Sequence, residues 1–236
     1  MTTNGIDSLQ PLSALHSENQ DNNKLRVFQS CSYLLAQLLI CLVVSGALIF
    51  VFNDGVPSGA TPQHITLCVL GYQLLMAQAI LSLSPHNSWS IHLRIVDKRR
   101  AHWILQILGS GLAIAGTFIK ILDKSVHFDT YHGQFGLVAL VFTTISLVNG
   151  LASLWAYEIR KLIPILGKLS KLSHICFGVV AFSMASITLC HGFEKSFFRG
   201  ILGDGVGYTL IGFTACFTII IIINPLINFV TKIKGE

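Results

Sequence analysis

The chain has 236 residues, of which 52% are apolar and only 11% charged, less than half of the roughly 25% charged content of soluble domains. The formal net charge is +5, and the charges fall in clusters separated by long apolar runs. This composition excludes a soluble globular domain, and no nucleic-acid partner is expected; membrane lipid is the expected surrounding.

Charge-free stretches cover residues 27–53, 55–93, 130–157, 172–193 and 205–231, each longer than the ~20 residues that cross a hydrocarbon core as helix. Another segment, 101–122, carries Lys120 alone, near one end, where a lysine can snorkel. An all-α polytopic membrane protein of six transmembrane helices is predicted.

In chain order, residues 1–26 are polar and read as a disordered cytosolic tail with no signal-peptide pattern. A first helix over 28–52 ends at Asn53-Asp54-Gly55-Val56-Pro57-Ser58-Gly59, a run that cannot continue a helix. A second begins near Thr61-Pro62, with proline tolerated in a first turn, and Ser84-Pro85 stops it. The loop 84–100 holds Trp89, an expected interface anchor, and Arg94, Lys98, Arg99 and Arg100. A third helix covers 101–122, and a short loop with Asp123 and Asp129 leads to a fourth over 132–156. The loop 157–171 brings Arg160, Lys161, Lys168 and Lys171, with a bend at Pro164. A fifth helix covers 172–191, and after a loop to 204 a sixth runs to about 229. The membrane domain is thus 27–231, and 232–236 a short cytosolic C-terminus.

Alternating these helices places twelve of the sixteen Lys and Arg on the side of the two termini and the 84–100 and 157–171 loops. Positive residues accumulate on the cytoplasmic side, so both termini are expected in the cytosol. The six cysteines fall inside or at the edge of the apolar segments, where thiols pack as apolar groups. No Cys-x-x-Cys-His occurs, which excludes covalent haem attachment of the c type.

Four of the nine histidines open helices. His64 and His132 start the second and fourth from the outer face; His102 and His174 start the third and fifth from the cytoplasmic face. At ~1.5 Å per residue the two faces lie a membrane thickness apart, so each histidine can share a metal only with its partner on the same face. One histidine at a helix end is commonly an anchor or a cap. A matched set, one on each of four consecutive helices, suits an iron porphyrin wedged between helices with an imidazole on either side. Zinc is the competing metal, but two histidines alone are too few ligands for it. Gly71 and Gly109 follow their histidines by seven residues, and Gly136 and Gly178 by four. These spacings return to the ligand's helical face and are expected to clear room for a ring. His127 and His191 lie near the outer face as candidate contacts for an electron acceptor. His16, His86 and His92 read as incidental.

The segments Ala101-His102-Trp103-Ile104-Leu105-Gln106, Tyr131-His132-Gly133-Gln134-Phe135-Gly136 and Lys171-Leu172-Ser173-His174 resemble the cytochrome b561 family, most strongly over the second to fifth helices. The resemblance implies a four-helix bundle of those helices holding two non-covalent b haems, each bis-histidine. His64 and His132 would ligate the outer iron, His102 and His174 the cytosolic one. It further implies electron transfer from cytosolic ascorbate to monodehydroascorbate radical or a ferric chelate across the membrane, the activity of an ascorbate-dependent transmembrane reductase. It allows a homodimer, and it suggests an endoplasmic reticulum or vesicle membrane.

Ascorbate is an anion, and Lys98, Arg99 and Arg100 beside His102 are the candidate residues to collect it. The chain departs from ascorbate-specific relatives at two places. Ala79-Ile80-Leu81-Ser82-Leu83-Ser84-Pro85-His86 stands where they carry an aromatic and basic stretch, and Gly133-Gln134-Phe135 where they carry a tryptophan-containing motif. The alternative is a transporter whose intramembrane histidines carry protons or a transition metal, a class that commonly has helices broken near the midplane.

Overall fold

The computed structural model describes residues 12–53, 55, 58–154 and 164–234, with side chains from 20 and from 169 in the first and last of these stretches. Helices α1 (Leu12–Phe52), α2 (Ala60–Ser82), α3 (Ile95–Asp123), α4 (Tyr131–Leu154), α5 (Pro164–Phe193), a short α6 (Ser196–Leu202) and α7 (Asp204–Lys234) follow one another, and no strand occurs among the described residues. All but α6 are long and apolar enough to cross a membrane.

Several helices begin earlier than their apolar runs. α1 starts at Leu12, so the polar stretch 12–26, expected to be disordered, extends the first spanning helix, and Lys24 pairs with Asp21 at 3.2 Å one turn away. Propagating an existing helix adds one hydrogen bond per residue without a new nucleus, so polarity alone does not end it. α3 starts at Ile95 rather than 101, with Arg94 in extended conformation at its N-cap. Asp97 in the first turn, where a negative charge is favoured, accepts from Arg94 at 2.8 Å and from Arg100 at 3.2 Å. Lys98, Arg99 and Arg100 therefore stand on the first turns of a helix, not in a loop. α5 likewise begins at Pro164, which takes in Lys168 and Lys171. Arg160 and Lys161 lie outside the described residues, as do the side chains of His16 and Lys168. The 192–204 loop contains α6, and Gly203 at φ 85° provides the reversal into α7.

α2, α3, α4 and α5 surround the interior, with extensive contacts of α2 on α3 and of α4 on α5. α1 and α7 pack against each other and cover the bundle on its α2 and α5 side. Ile40, Val43, Leu81, Phe182, Phe217 and Ile221 fill the layer between. Gln37 on α1 exchanges amide hydrogen bonds with Gln78 on α2 and donates to Asn87. Trp89 Nε1 donates to Gln78 Oε1 at 3.0 Å while its ring stays partly exposed. That network fastens the α2–α3 connection to α1.

Two close approaches set the bundle's dimensions. Gly71 and Gly109 stand back to back where α2 crosses α3: a Cβ on Gly71 would lie 2.6 Å from Gly109 O, and one on Gly109 2.9 Å from Gly71 O. These glycines, expected to clear room for a ring, are occupied by each other's backbone. Small residues are the usual means of bringing membrane helices together. A smaller cluster of Tyr72, Met76, Ala113, Ala139 and Ala185 closes the middle of the bundle.

Candidate functional site: two histidine pairs at opposite ends of the bundle

Each of the four helices brings one histidine to the interior, and the histidines meet in two pairs. The rings of His64 and His132 have centres 6.1 Å apart with planes at 78°. Those of His102 and His174 are also 6.1 Å apart, at 89°. All four are partly or largely withdrawn from the surface.

Every one of these rings is held the same way. His64 Nδ1 donates to Gly116 O at 2.9 Å and His102 Nδ1 to Ala79 O at 2.8 Å, so α2 and α3 exchange a bond near each end. His132 Nδ1 donates to Thr188 O at 2.9 Å and His174 Nδ1 to Ser146 O at 2.9 Å, so α4 and α5 do the same. A carbonyl only accepts, so the proton in each neutral ring sits on Nδ1, and Nε2 keeps its lone pair. A metal-binding imidazole is held in the same way, its second nitrogen donating to a backbone carbonyl or carboxylate.

Helix periodicity explains how one helix serves both ends. From His102 to Gly116, from His132 to Ser146 and from His174 to Thr188 is fourteen residues, within half a residue of four turns. Ligand and anchor thus share a face, about 21 Å apart along the axis. On α2 the interval from His64 to Ala79 is fifteen residues. One added residue of α-helix would turn the anchor away by about 100°. Residues Val69–Met76 of α2 instead form a π-helix, whose wider turn absorbs one residue and returns the Ala79 carbonyl to His102.

The donor set fits a bis-imidazole metal centre. With each coordinating nitrogen ~2 Å from a metal and the ring centre ~1.1 Å beyond it, two such rings would have centres ~6 Å apart, as here. Among the described residues no three His, Cys, Asp or Glu side chains gather anywhere, which disfavours a four-coordinate zinc site. A cavity of about 440 Å³ opens between His64 and His132, within the ~300–1,000 Å³ usual for cofactor sites. Residues 126–130 of the loop after α3 line it, together with Lys120, Lys124 and Lys195. Phe128 in that loop has φ 58°, uncommon for a bulky residue. Gln134 Nε2 donates to its carbonyl at 3.2 Å, and a Cβ on Gly133 would sit 3.2 Å from its Cα. Gly133-Gln134 therefore anchors the loop.

The remaining candidates are spread out. His127 is exposed and borders the cavity. His191 lies on α5 with its Nδ1 2.7 Å from Glu194 Oε2, stacked on Phe135 at 5.6 Å, and does not line the cavity. At the other end Arg99 is exposed, Arg100 is exposed but paired with Asp97, and Lys98 is only 8% exposed. The three do not form one continuous cationic surface.

Two glycines that the histidine spacing did not single out lie against the imidazoles. A Cβ on Gly150 would come within 2.9 Å of His174 Cε1, and one on Gly192 within 3.5 Å of His132 Cε1. Gly136 and Gly178 face other groups instead, Thr188 Cγ2 at 3.4 Å and Ser146 Oγ at 3.3 Å. Gly150→Ala is expected to push the His174 ring off Ser146 O and to weaken the hold on any metal between His102 and His174 by roughly 10- to 100-fold, the usual cost of losing such a support. Metal titration of each end would show it, with the His64/His132 end unchanged.

The eukaryotic cytochrome b561 family model matches residues 63–199, a span that contains all four histidines. Transmembrane reductase CYB561D2 of Mus musculus is 31% identical over 194 residues, covering 79% of this chain and 85% of the relative. The Homo sapiens protein of the same name shows the same identity and coverage. Probable transmembrane reductase CYB561D1 of Mus musculus is 26% identical over 156 residues, 63% of this chain and 66% of the relative. With six membrane-length helices and a match across most of its length, the chain is an integral multi-pass membrane protein and belongs to the cytochrome b561 family.

Proposed function

We propose that the chain is a transmembrane oxidoreductase that takes electrons from ascorbate at the His102/His174 face and delivers them to monodehydroascorbate radical or a ferric chelate at the His64/His132 face. One haem b would be held by each histidine pair. The observation that carries this is the duplicated geometry: two ring pairs at 6.1 Å, each ring locked by a backbone carbonyl with Nε2 free. The relatives' designation as transmembrane reductases supports the same activity.

Haem, when bound, supplies a one-electron iron couple; the protein supplies ligation, orientation and exclusion of water. The carbonyl anchors fix the imidazole planes. Lys124 and Lys195, which line the cavity, would complement the carboxylates of a b haem and draw an anionic acceptor towards His127, while Lys120 is paired with Asp123. At the opposite face Arg99 and Arg100 offer the accessible positive charge for ascorbate, with Lys98 beneath them. The excess of Lys and Arg there supports a cytosolic orientation for that face and for both termini.

The test is purification from membranes followed by pyridine haemochrome analysis, then reduction by ascorbate. Two haems b per chain and a reduced b-type spectrum are expected, and proteoliposomes loaded with ascorbate should reduce an external ferric chelate. Protein free of haem would refute the assignment.

A further inference from the structure

The π-helix of α2 has a second consequence, at the floor of the His64/His132 cavity. Gly71, Tyr72 and Gln73 are buried in succession, whereas a regular α-helix turns consecutive residues ~100° apart. Tyr72 and Gln73 both line the cavity. Gln73 follows His64 by nine residues and precedes Ala79, the anchor of His102, by six, which places it in the gap between the two ring pairs.

Tyr72 is satisfied there, since Thr143 Oγ1 donates to its hydroxyl at 3.2 Å. Gln73 is not. It is 1% exposed, and its Oε1 has no hydrogen-bond partner among the described residues. A buried carboxamide oxygen without a partner is costly to keep in a membrane interior. A fixed dipole in low dielectric acts strongly on any charge beside it. A haem iron changes its charge by one unit on reduction, and nearby polarity is one of the protein's levers on its potential.

We propose that Gln73 is a positioning residue for electron transfer, whose carboxamide, held at the cavity floor by the π-helix, sets the redox potential of the His64/His132 centre. The role rests on the haem assignment above. Its expected target is that centre, because Gln73 lines the cavity between His64 and His132.

The test is potentiometric titration of the purified holoprotein against Gln73→Leu. Haem content comes first: wild-type protein without haem would overturn the assignment beneath this proposal before any variant is compared. At full haem content, Gln73→Leu is expected to shift the one-electron equilibrium of the His64/His132 centre about tenfold, 59 mV for one electron, and to leave the other centre within error. Should leucine impair haem loading, Gln73→Met, flexible and apolar, is to be measured in its place with the same expectation. Unchanged potentials in a fully loaded variant, or equal shifts in both centres, would overturn the proposal.

Discussion

A side chain introduced at Gly71 should weaken both histidine pairs at once, although the residue touches neither. Its Cβ would lie 2.6 Å from Gly109 O and 2.7 Å from Ala113 N. Both are backbone atoms that cannot rotate aside, so α2 and α3 must separate. Overpacking of this kind costs about 1–3 kcal/mol, and a larger side chain adds to it. The separation also pulls on the two bonds that cross this interface, His64 to Gly116 and His102 to Ala79, each worth about 1 kcal/mol. Gly71→Val is therefore expected to lower haem content at both ends and to lower the melting temperature in detergent. Gly111→Val on the facing helix α3 is the control, because a Cβ at Gly111 meets nothing within 4 Å. Equal haem content in the two variants would show that this crossing does not govern the sites.

Replacing single histidines should have the opposite, local signature. His102→Ala is expected to remove one haem and leave the other, since His64 and His132 keep their anchors on Gly116 and Thr188. His132→Ala should remove the complementary one. Either variant should lose transmembrane electron transfer to background, while whichever face retains its haem still exchanges electrons with reagents on that side. Haem stoichiometry and proteoliposome assays together decide it. Retention of two haems in either variant would refute the ligand assignment.

The ends of elements differ from their sequence-based limits for a common reason. Charge marks where a chain can leave the hydrocarbon, not where helix stops. Asp97, flanked by Arg94 and Arg100, supports a helical turn outside the apolar run, and α1 extends through polar residues to Leu12. The glycine reading failed at Gly71 and Gly109 because helical spacing identifies a face but not what packs on it. Gly150 and Gly192 escaped the same reading because they approach a histidine of another helix, His174 and His132 respectively, and spacing within one helix carries no information about its neighbour.

Hydropathy, charge and rise per residue are local properties, so the six spans, the excess of positive residues on one side and the shared depths of the histidines were legible in the residues. What holds those histidines emerges from the packing of one helix on another. Their anchors are main-chain carbonyls of Gly116, Ala79, Thr188 and Ser146, groups that every residue type possesses and no residue identity announces. The π-helix that accommodates the fifteen-residue interval on α2 is equally silent in the letters. It forms because packing α2 against α3 at Gly71 and Gly109 while keeping both bonds requires one residue to be absorbed between them.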